Sequence, residues 1–235
     1  MIVLWVALGL LALAVLVYWV FISTEGTYLG PRLVALLYDW TAARYDRIKS
    51  VHFVDEARFI GLPLIAALEG VSAPRVLDVA TGTARVPLAV VSRLAPGWHL
   101  LGLDHSAGML ASAQNATADW RAQVSLVRAD AARLPFDDAT FDAVTCLEAL
   151  EFMTSGEAVV AELGRVLRPG GVMLLSNRVG AEATVFLGRL ARRGTLERCL
   201  SAQGLTDIRT ERWQVYYDLV WARKPDIVEE HGHEA

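Results

Sequence analysis

An α/β protein is what this sequence predicts: a seven-stranded, mostly parallel sheet with helices on both faces, preceded by one N-terminal transmembrane helix. Three observations carry that expectation. From Ala73 onward, short apolar runs alternate with segments of helical periodicity, the pattern of successive βαβ units. The last two strand-like runs have almost nothing between them, so they read as a hairpin closing one edge of the sheet. Ahead of all this, Ile2 to Ile22 runs for 21 residues without a charge.

That apolar run is taken first. At a rise of about 1.5 Å per residue it reaches about 31 Å, the thickness of a hydrocarbon core of roughly 30 Å. Trp5 lies near one end and Tyr18 and Trp19 near the other, where interfacial aromatics belong. A cleaved signal peptide would have a basic leader and an apolar stretch of about 7–15 residues, and neither is present. A core helix this uniformly apolar would need a large protein around it. The basic residues lie after the span, at Arg32, Arg44, Arg47 and Lys49. A single-pass membrane protein with its body in the cytoplasm is the expectation. Residues 1–23 are then the anchor, 24–72 a linker and N-terminal helices that cap the domain or lie near the membrane, 73–225 the domain and 226–235 a polar tail.

Composition removes several function classes. The chain has 235 residues, with 22 Lys plus Arg against 26 Asp plus Glu, a net charge of −4. A mildly acidic chain of this kind lacks the basic footprint of a general nucleic-acid binder. A hydrophobic fraction of 54% excludes bulk disorder. Cys146 and Cys199 are too few for a disulfide scaffold and form no CxxC, so they read as reduced, buried thiols. His231 and His233 in the tail read as solvated rather than metal-binding.

The elements follow in order. Pro31 opens a helix whose apolar residues Leu33, Val34, Leu36, Leu37 and Trp40 recur at spacings of three and four. It is either packed on the domain or lies as a membrane-surface or lid helix. A second helix runs from about Asp55 to Glu69 and ends at Gly70. Strands are expected at 75–80, 98–103, 124–129, 141–147, 172–176, 205–211 and 214–222. Between them, a helix spans 84–94 and another follows the cap Ser106. A third starts at the capping-box pair Thr154 and Glu157 and stops at Arg168-Pro169-Gly170-Gly171, and a fourth spans 196–203.

Open α/β sheets bind ligands at the carboxyl ends of their strands. The first strand ends Asp78-Val79-Ala80-Thr81-Gly82-Thr83-Ala84, a loop of small residues that lets backbone approach a ligand. It is neither GxGxxG nor a P-loop, and Asp78 suits a cationic ligand better than a phosphate. The second strand ends at Asp104, 22 residues past Gly82. An acid there can accept from both hydroxyls of a ribose, or it simply favours the dipole of the next helix. The third strand leads into Asp130 and Ala131, where a carboxylate can accept from an adenine amino group or be solvated. The fourth leads into Cys146-Leu147-Glu148-Ala149-Leu150-Glu151, whose two glutamates read as polar floor residues or a helix start.

Together VLDVATGTAR, LLGLDHSAGMLASA, RADAARLPFDDATFDAVTCLEAL and LGRVLRPGGVMLLSNR resemble a class I S-adenosylmethionine-dependent methyltransferase, with its Rossmann-like sheet. The first and third are similar to the group of ubiquinone/menaquinone C-methyltransferases, and ERWQVYYDLVWARK resembles the edge hairpin of that fold. The resemblance implies that Asp78, Ala80, Thr81, Gly82 and Thr83 hold the methionine part of S-adenosylmethionine. It places Asp104 on the ribose, His105 and Met109 along the adenine, Asp130 and Ala131 at the adenine edge, and Leu147 at the methionine end. Tyr45, in Arg44-Tyr45-Asp46, matches a family feature that closes over the cofactor. The chain departs from the family at Ala84, where glycine is usual. His52 and His105 are the only histidines in the body placed to be considered as a base, and neither is assigned. The likeness and the anchor together imply a lipophilic acceptor, first a quinone or its precursor, then a phospholipid head group, then a small soluble molecule. Residues 28–59 and 179–193 are expected to cover its pocket. A non-catalytic cofactor-binding module and a nicotinamide-dependent oxidoreductase are the rival classes.

Overall fold

In the computed structural model, which describes residues 1–42, 56–93, 97–186 and 190–226, seven strands form one sheet. They are β1 (Arg75–Val79), β2 (His99–Asp104), β3 (Val124–Arg128), β4 (Phe141–Cys146), β5 (Leu167–Arg178), β6 (Thr206–Arg212) and β7 (Tyr217–Arg223). The spatial order is β3-β2-β1-β4-β5-β7-β6. β1 pairs in parallel with β2 and β4, β2 with β3, and β4 with β5. Only β7 runs against its neighbours, antiparallel to β5 and β6. Strand order therefore reverses at β1, and the crevice beyond the carboxyl ends of β1, β2 and β4 is the topological switch point where such sheets take ligands.

The helices are α1 (Ile2–Tyr18), α2 (Pro31–Thr41), α3 (Leu62–Ala67), α4 (Arg85–Val91), α5 (Ala107–Ala116), α6 (Gly156–Val166) and α7 (Thr195–Ala202). Central strands are covered on both faces, which is why β1 is a continuous apolar run interrupted by a single acid. Alternation along β1 splits the core. Leu77 and Val79 face a layer that contains Val159, Leu163 and Val166 of α6 and Leu196 and Leu200 of α7. Val76 faces the other layer, with Leu64 of α3 and Val86 and Val90 of α4. Side chains of period two on the sheet thus meet helical stripes of period 3.6 on each side.

Several boundaries differ from the sequence reading, each for a physical reason. β5 begins at Leu167, not Val172, because the Arg168-Pro169-Gly170-Gly171 segment that stops α6 continues directly into the strand, with Phe141 paired to Leu167. Ser155, not Thr154, caps α6, its Oγ accepting the Ala158 N–H at 3.3 Å. β7 starts at Tyr217 because 213–216 form the turn, with the Gln214 N–H donating to the Tyr217 carbonyl at 2.9 Å. Cys146 is buried as expected, while Cys199 is only half-buried.

α1 continues into a wider helical turn at Trp19–Ser23. The helical stretch Ile2–Phe21 is long and apolar enough to cross a membrane, and none of α1 is buried against the domain.

Candidate functional site

The loop after β1 is built from alternating left-handed residues. Ala80, Gly82 and Ala84 have φ of 57°, 56° and 73°. The Thr81 N–H donates to the Leu103 carbonyl at 2.9 Å, extending the β1–β2 pairing, and the Ala84 N–H donates to the Thr81 carbonyl at 2.9 Å. A Cβ on Gly82 would meet nothing within 4 Å, so this glycine serves the backbone conformation rather than close packing. Its N–H donates to Asp104 Oδ2 at 2.9 Å.

Asp104 holds a second donor, the Ser106 N–H, on Oδ1 at 2.8 Å. Each carboxylate oxygen has two lone pairs, so both retain acceptor capacity while their direction is fixed. Burial pushes the Asp104 carboxyl above its ordinary range, and the backbone donors from Ser106 and Gly82 oppose that shift. Asp78, one strand inward, is 3% exposed, and its carboxylate accepts from Thr145 Oγ1 at 2.6 Å. Burial raises it to about 6.

The loop and Asp104 border a cavity of about 600 Å³, within the roughly 300–1,000 Å³ of small-molecule sites. The loop supplies Ala80 and Gly82 to its wall. The end of β2 and the start of α5 supply Asp104, His105 and Met109. Asp130 and Ala131 come from the exit of β3, and Leu147 from the exit of β4. Asp130 is fixed by the Ala132 N–H on Oδ1 at 2.9 Å. Asp78, Thr81 and Thr83 are buried and lie outside this wall. Tyr45 and His52 lie outside the described residues.

The opposite wall comes partly from the stretch 28–59 expected to cover the pocket, and partly from residues the sequence reading did not name. α2 contributes Arg32, Val34, Ala35 and Tyr38, and the segment after β4 contributes Phe152 and Met153. Asp39 docks α2. Its Oδ1 accepts from Ser106 Oγ at 2.5 Å and from the Gly108 N–H at 2.8 Å, while Ser106 Oγ accepts the Met109 N–H at 3.0 Å. A Cβ on Gly108 would sit 2.9 Å from Asp39 Cα, so the helices meet only because that residue is glycine. The hydrogen bond from Ser106 holds the Asp39 carboxyl below its usual range. Periodicity marked α2 as amphipathic; it carried no signal that a residue 67 positions upstream of Ser106 would share its cap.

The two glutamates after β4 have separate environments. Glu148 lines the cavity with φ of 50°, and its carboxylate accepts from Arg85 Nη1 at 2.5 Å and Gln214 Nε2 at 2.9 Å. Arg85 also bonds Glu56 and lies over the Trp213 ring at 4.7 Å. Glu151 is buried in the short helical turn Leu150–Phe152, accepting from the Tyr217 hydroxyl and, at 3.2 Å, from Arg178. Burial raises its carboxyl above the usual range.

Residues 76–171 match the family model described as a methyltransferase domain. The demethylmenaquinone methyltransferase of Mycolicibacterium gilvum is 37% identical over 146 residues, covering 62% of this chain and 60% of that protein. The chain thus spans about three fifths of the length of the curated relatives it matches. Among solved structures, an S-adenosylmethionine-dependent methyltransferase from Aquifex aeolicus superposes with a TM-score of 0.57 at 16% identity, over 68% of this chain and 87% of that one. The Haemonchus contortus phosphoethanolamine N-methyltransferase 2, in complex with S-adenosylhomocysteine, gives 0.59 at 16% identity, over 70% and 52%. Residues 76–171 are thus similar to a methyltransferase domain, on a sheet shared with these two solved structures, and S-adenosylmethionine is the group to test against the site. The residues fit that group: an acid with open lone pairs ends β2, and a second buried acid lies behind the loop, in keeping with a cationic ligand.

Three outcomes are expected. Ala84 is fully buried in the left-handed region. Ala84→Val, adding branched bulk there, lowers stability by about 2–4 kcal/mol. Ala84→Gly stays within about 1 kcal/mol, because relief of strain is offset by a lost buried methyl; denaturant melts separate the two. Gly108→Ala displaces α2 and weakens S-adenosylmethionine binding by calorimetry, whereas Asp39→Ala removes an acceptor worth about 1 kcal/mol. For Asp78 the signs are opposite for folding and binding. A carboxyl raised to about 6 contributes stability that is fully present below its unfolded value near 3.8 and is lost as pH rises through about 6. A bound cation favours the ionised form, so affinity falls as pH drops through about 6. Asp78→Asn flattens both profiles.

Proposed function

We propose that this chain is a membrane-anchored methyltransferase that transfers the methyl group of S-adenosylmethionine to a lipophilic acceptor, a quinone or quinone precursor, at the cytoplasmic face of a bilayer. One observation carries the reading: α2, which begins eight residues after the wide turn ending the apolar helix at Ser23, is itself a wall of the cofactor cavity. The element that tethers the domain and the element that closes the site are nearly continuous. The other side of α2 supports the same reading. Leu36 and Trp40 are 63% and 85% exposed and lie one helical turn apart, an apolar strip suited to the headgroup boundary. The similarity to demethylmenaquinone methyltransferases supplies the acceptor class, and the basic residues Arg32, Arg44, Arg47 and Lys49 after the span supply the orientation.

The bound cofactor supplies an electrophilic methyl on a sulfonium. Asp104 would accept the ribose hydroxyls, with Gly82 keeping its carboxylate in place. His105 and Met109 would flank the adenine, Asp130 and Ala131 would meet its edge, and Leu147 would border the methionine end. Tyr38, Phe152 and Met153 would form the apolar wall against which the acceptor ring is held in line. Alignment of this kind and exclusion of water supply much of the rate of a displacement. Delivery from the bilayer raises the local acceptor concentration.

The test uses the full chain in nanodiscs with methyl-labelled S-adenosylmethionine and a demethylated prenyl quinol. Label is expected in the quinol fraction, and Asp104→Ala is expected to weaken cofactor binding about 10–100-fold, the worth of hydrogen bonds to a charged group. Label appearing only in water-soluble acceptors would overturn the acceptor class. Absence of cofactor binding by a folded chain would overturn the activity.

A further inference from the structure

A second cavity, of about 520 Å³, lies at the carboxyl end of β5, apart from the cofactor site. Its charged wall is made of three arginines, Arg192, Arg193 and Arg212, joined by Gln214 and Val215 of the β6–β7 turn. Arg193 is already satisfied: Nε and Nη2 fork onto the Asp218 carboxylate at 2.6 and 3.2 Å. Arg192 and Arg212 form no ion pair with any other of the described residues. The cavity therefore holds two positive charges without an acidic counterpart there.

Arg192 is also built into place. It has φ of 98°, unusual for a side chain of its size. Its N–H donates to the Arg178 carbonyl at 3.0 Å, and its own carbonyl accepts from Asn177 Nδ2 at 2.8 Å. Asn177 is fully buried, so the clamp comes from the sheet itself. Backbone strain of this kind persists where surrounding structure over-determines it.

Two further facts identify the occupant. Beside the arginines, the hairpin tip exposes Val215 (82%) and Tyr216 (45%), an apolar and an amphipathic side chain. A chain of contacts also joins the cavity wall to the end of the apolar helix. Trp19 stacks on Tyr28 with ring centroids 5.2 Å apart, and the Tyr28 hydroxyl donates to the Val185 carbonyl at 3.2 Å. Val185 ends the helical turn Ala181–Val185 that starts next to Gly180 of the cavity wall. Five residues of such a turn span about 10 Å.

We propose that this cavity is a second membrane contact, taking the anionic headgroup of a phospholipid on Arg192 and Arg212 while Val215 and Tyr216 enter the interface. Cationic side chains next to exposed apolar ones match the two components of an anionic membrane surface, its phosphates and its acyl boundary. The contact rests on the membrane-anchored reading above and adds to it a preference for lipid charge. It fixes which side of the domain faces the bilayer, and hence the direction in which the cofactor cavity opens.

The test is hydrogen exchange of the full chain in nanodiscs of neutral phosphatidylcholine and in nanodiscs with added phosphatidylglycerol. Retention of the chain in neutral nanodiscs reports the anchor by itself. With the anionic lipid, exchange across 190–194 and 212–216 is expected to slow by up to about thirtyfold, about fivefold for each arginine drawn to the surface. Arg192→Gln together with Arg212→Gln is expected to abolish the slowing while leaving cofactor binding and nanodisc retention unchanged. Equal exchange in the two lipids, or slowing that survives the double substitution, would overturn the proposal. Equal slowing by inorganic phosphate added to neutral nanodiscs would overturn the lipid as the source.

Discussion

Asp104 binds two backbone N–H groups with one carboxylate, Gly82 from the loop after β1 and Ser106 from the start of α5. That pair of bonds joins the two loops facing the switch point, and the geometry of the cofactor cavity depends on it. Ser106 then passes the constraint outward. Its N–H is held by Asp104, its Oγ caps Met109, and the same Oγ donates to Asp39. One short stretch of chain thus sets the floor of the cavity and the position of the helix that covers it. The burial that disfavours the charge on Asp104 is the condition under which its hydrogen bonds are strong.

Charge is distributed around the cavity by the same logic. Asp78 is buried and Asp104 half-buried, each held by hydroxyl or amide donors, and no guanidinium among the described residues bonds either, so negative potential is left for a cationic ligand. Glu148 and Glu151 are treated differently: the first is bonded to Arg85, the second to Arg178 and Tyr217. A buried carboxylate paired in this way costs much to break, because the partner is left uncompensated. The acids beside the β1 loop thus keep acceptor capacity, while those after β4 are committed to arginine and tyrosine partners.

Much of this was legible in the sequence. Strand order cannot be read directly, but continuous apolar runs at β1 and β4 and the final paired runs marked a parallel sheet with one closing hairpin. Residues at strand ends were legible because local spacing fixes them: Gly82, Asp104, Asp130 and Leu147 all border one cavity. What was not legible depends on distance along the chain. Asp39 meets Gly108 across 69 residues, and Tyr217 meets Glu151 across 66. No local pattern encodes either pair. The cap of α6 moved from Thr154 to Ser155 because either hydroxyl can serve as an N-cap; only Thr154 has Glu three residues on, yet the chain path presents Ser155 to the Ala158 N–H. Ala84 was legible as a departure, yet only the structure shows that the alanine takes the left-handed conformation a glycine would.

The short tether between the apolar helix and α2 has a kinetic consequence. Residues 24–30 reach at most about 25 Å when fully extended, and Thr24 and Thr27 shorten that leash, each bonding backbone carbonyls through its hydroxyl. If α1 sits in a bilayer and the acceptor is dissolved there, as proposed above, the cavity samples only a thin layer above one leaflet, and encounter becomes a search in two dimensions. Turnover then follows the mole fraction of acceptor in the lipid rather than its concentration in the assay volume, and diluting with inert lipid slows the reaction where diluting with buffer does not.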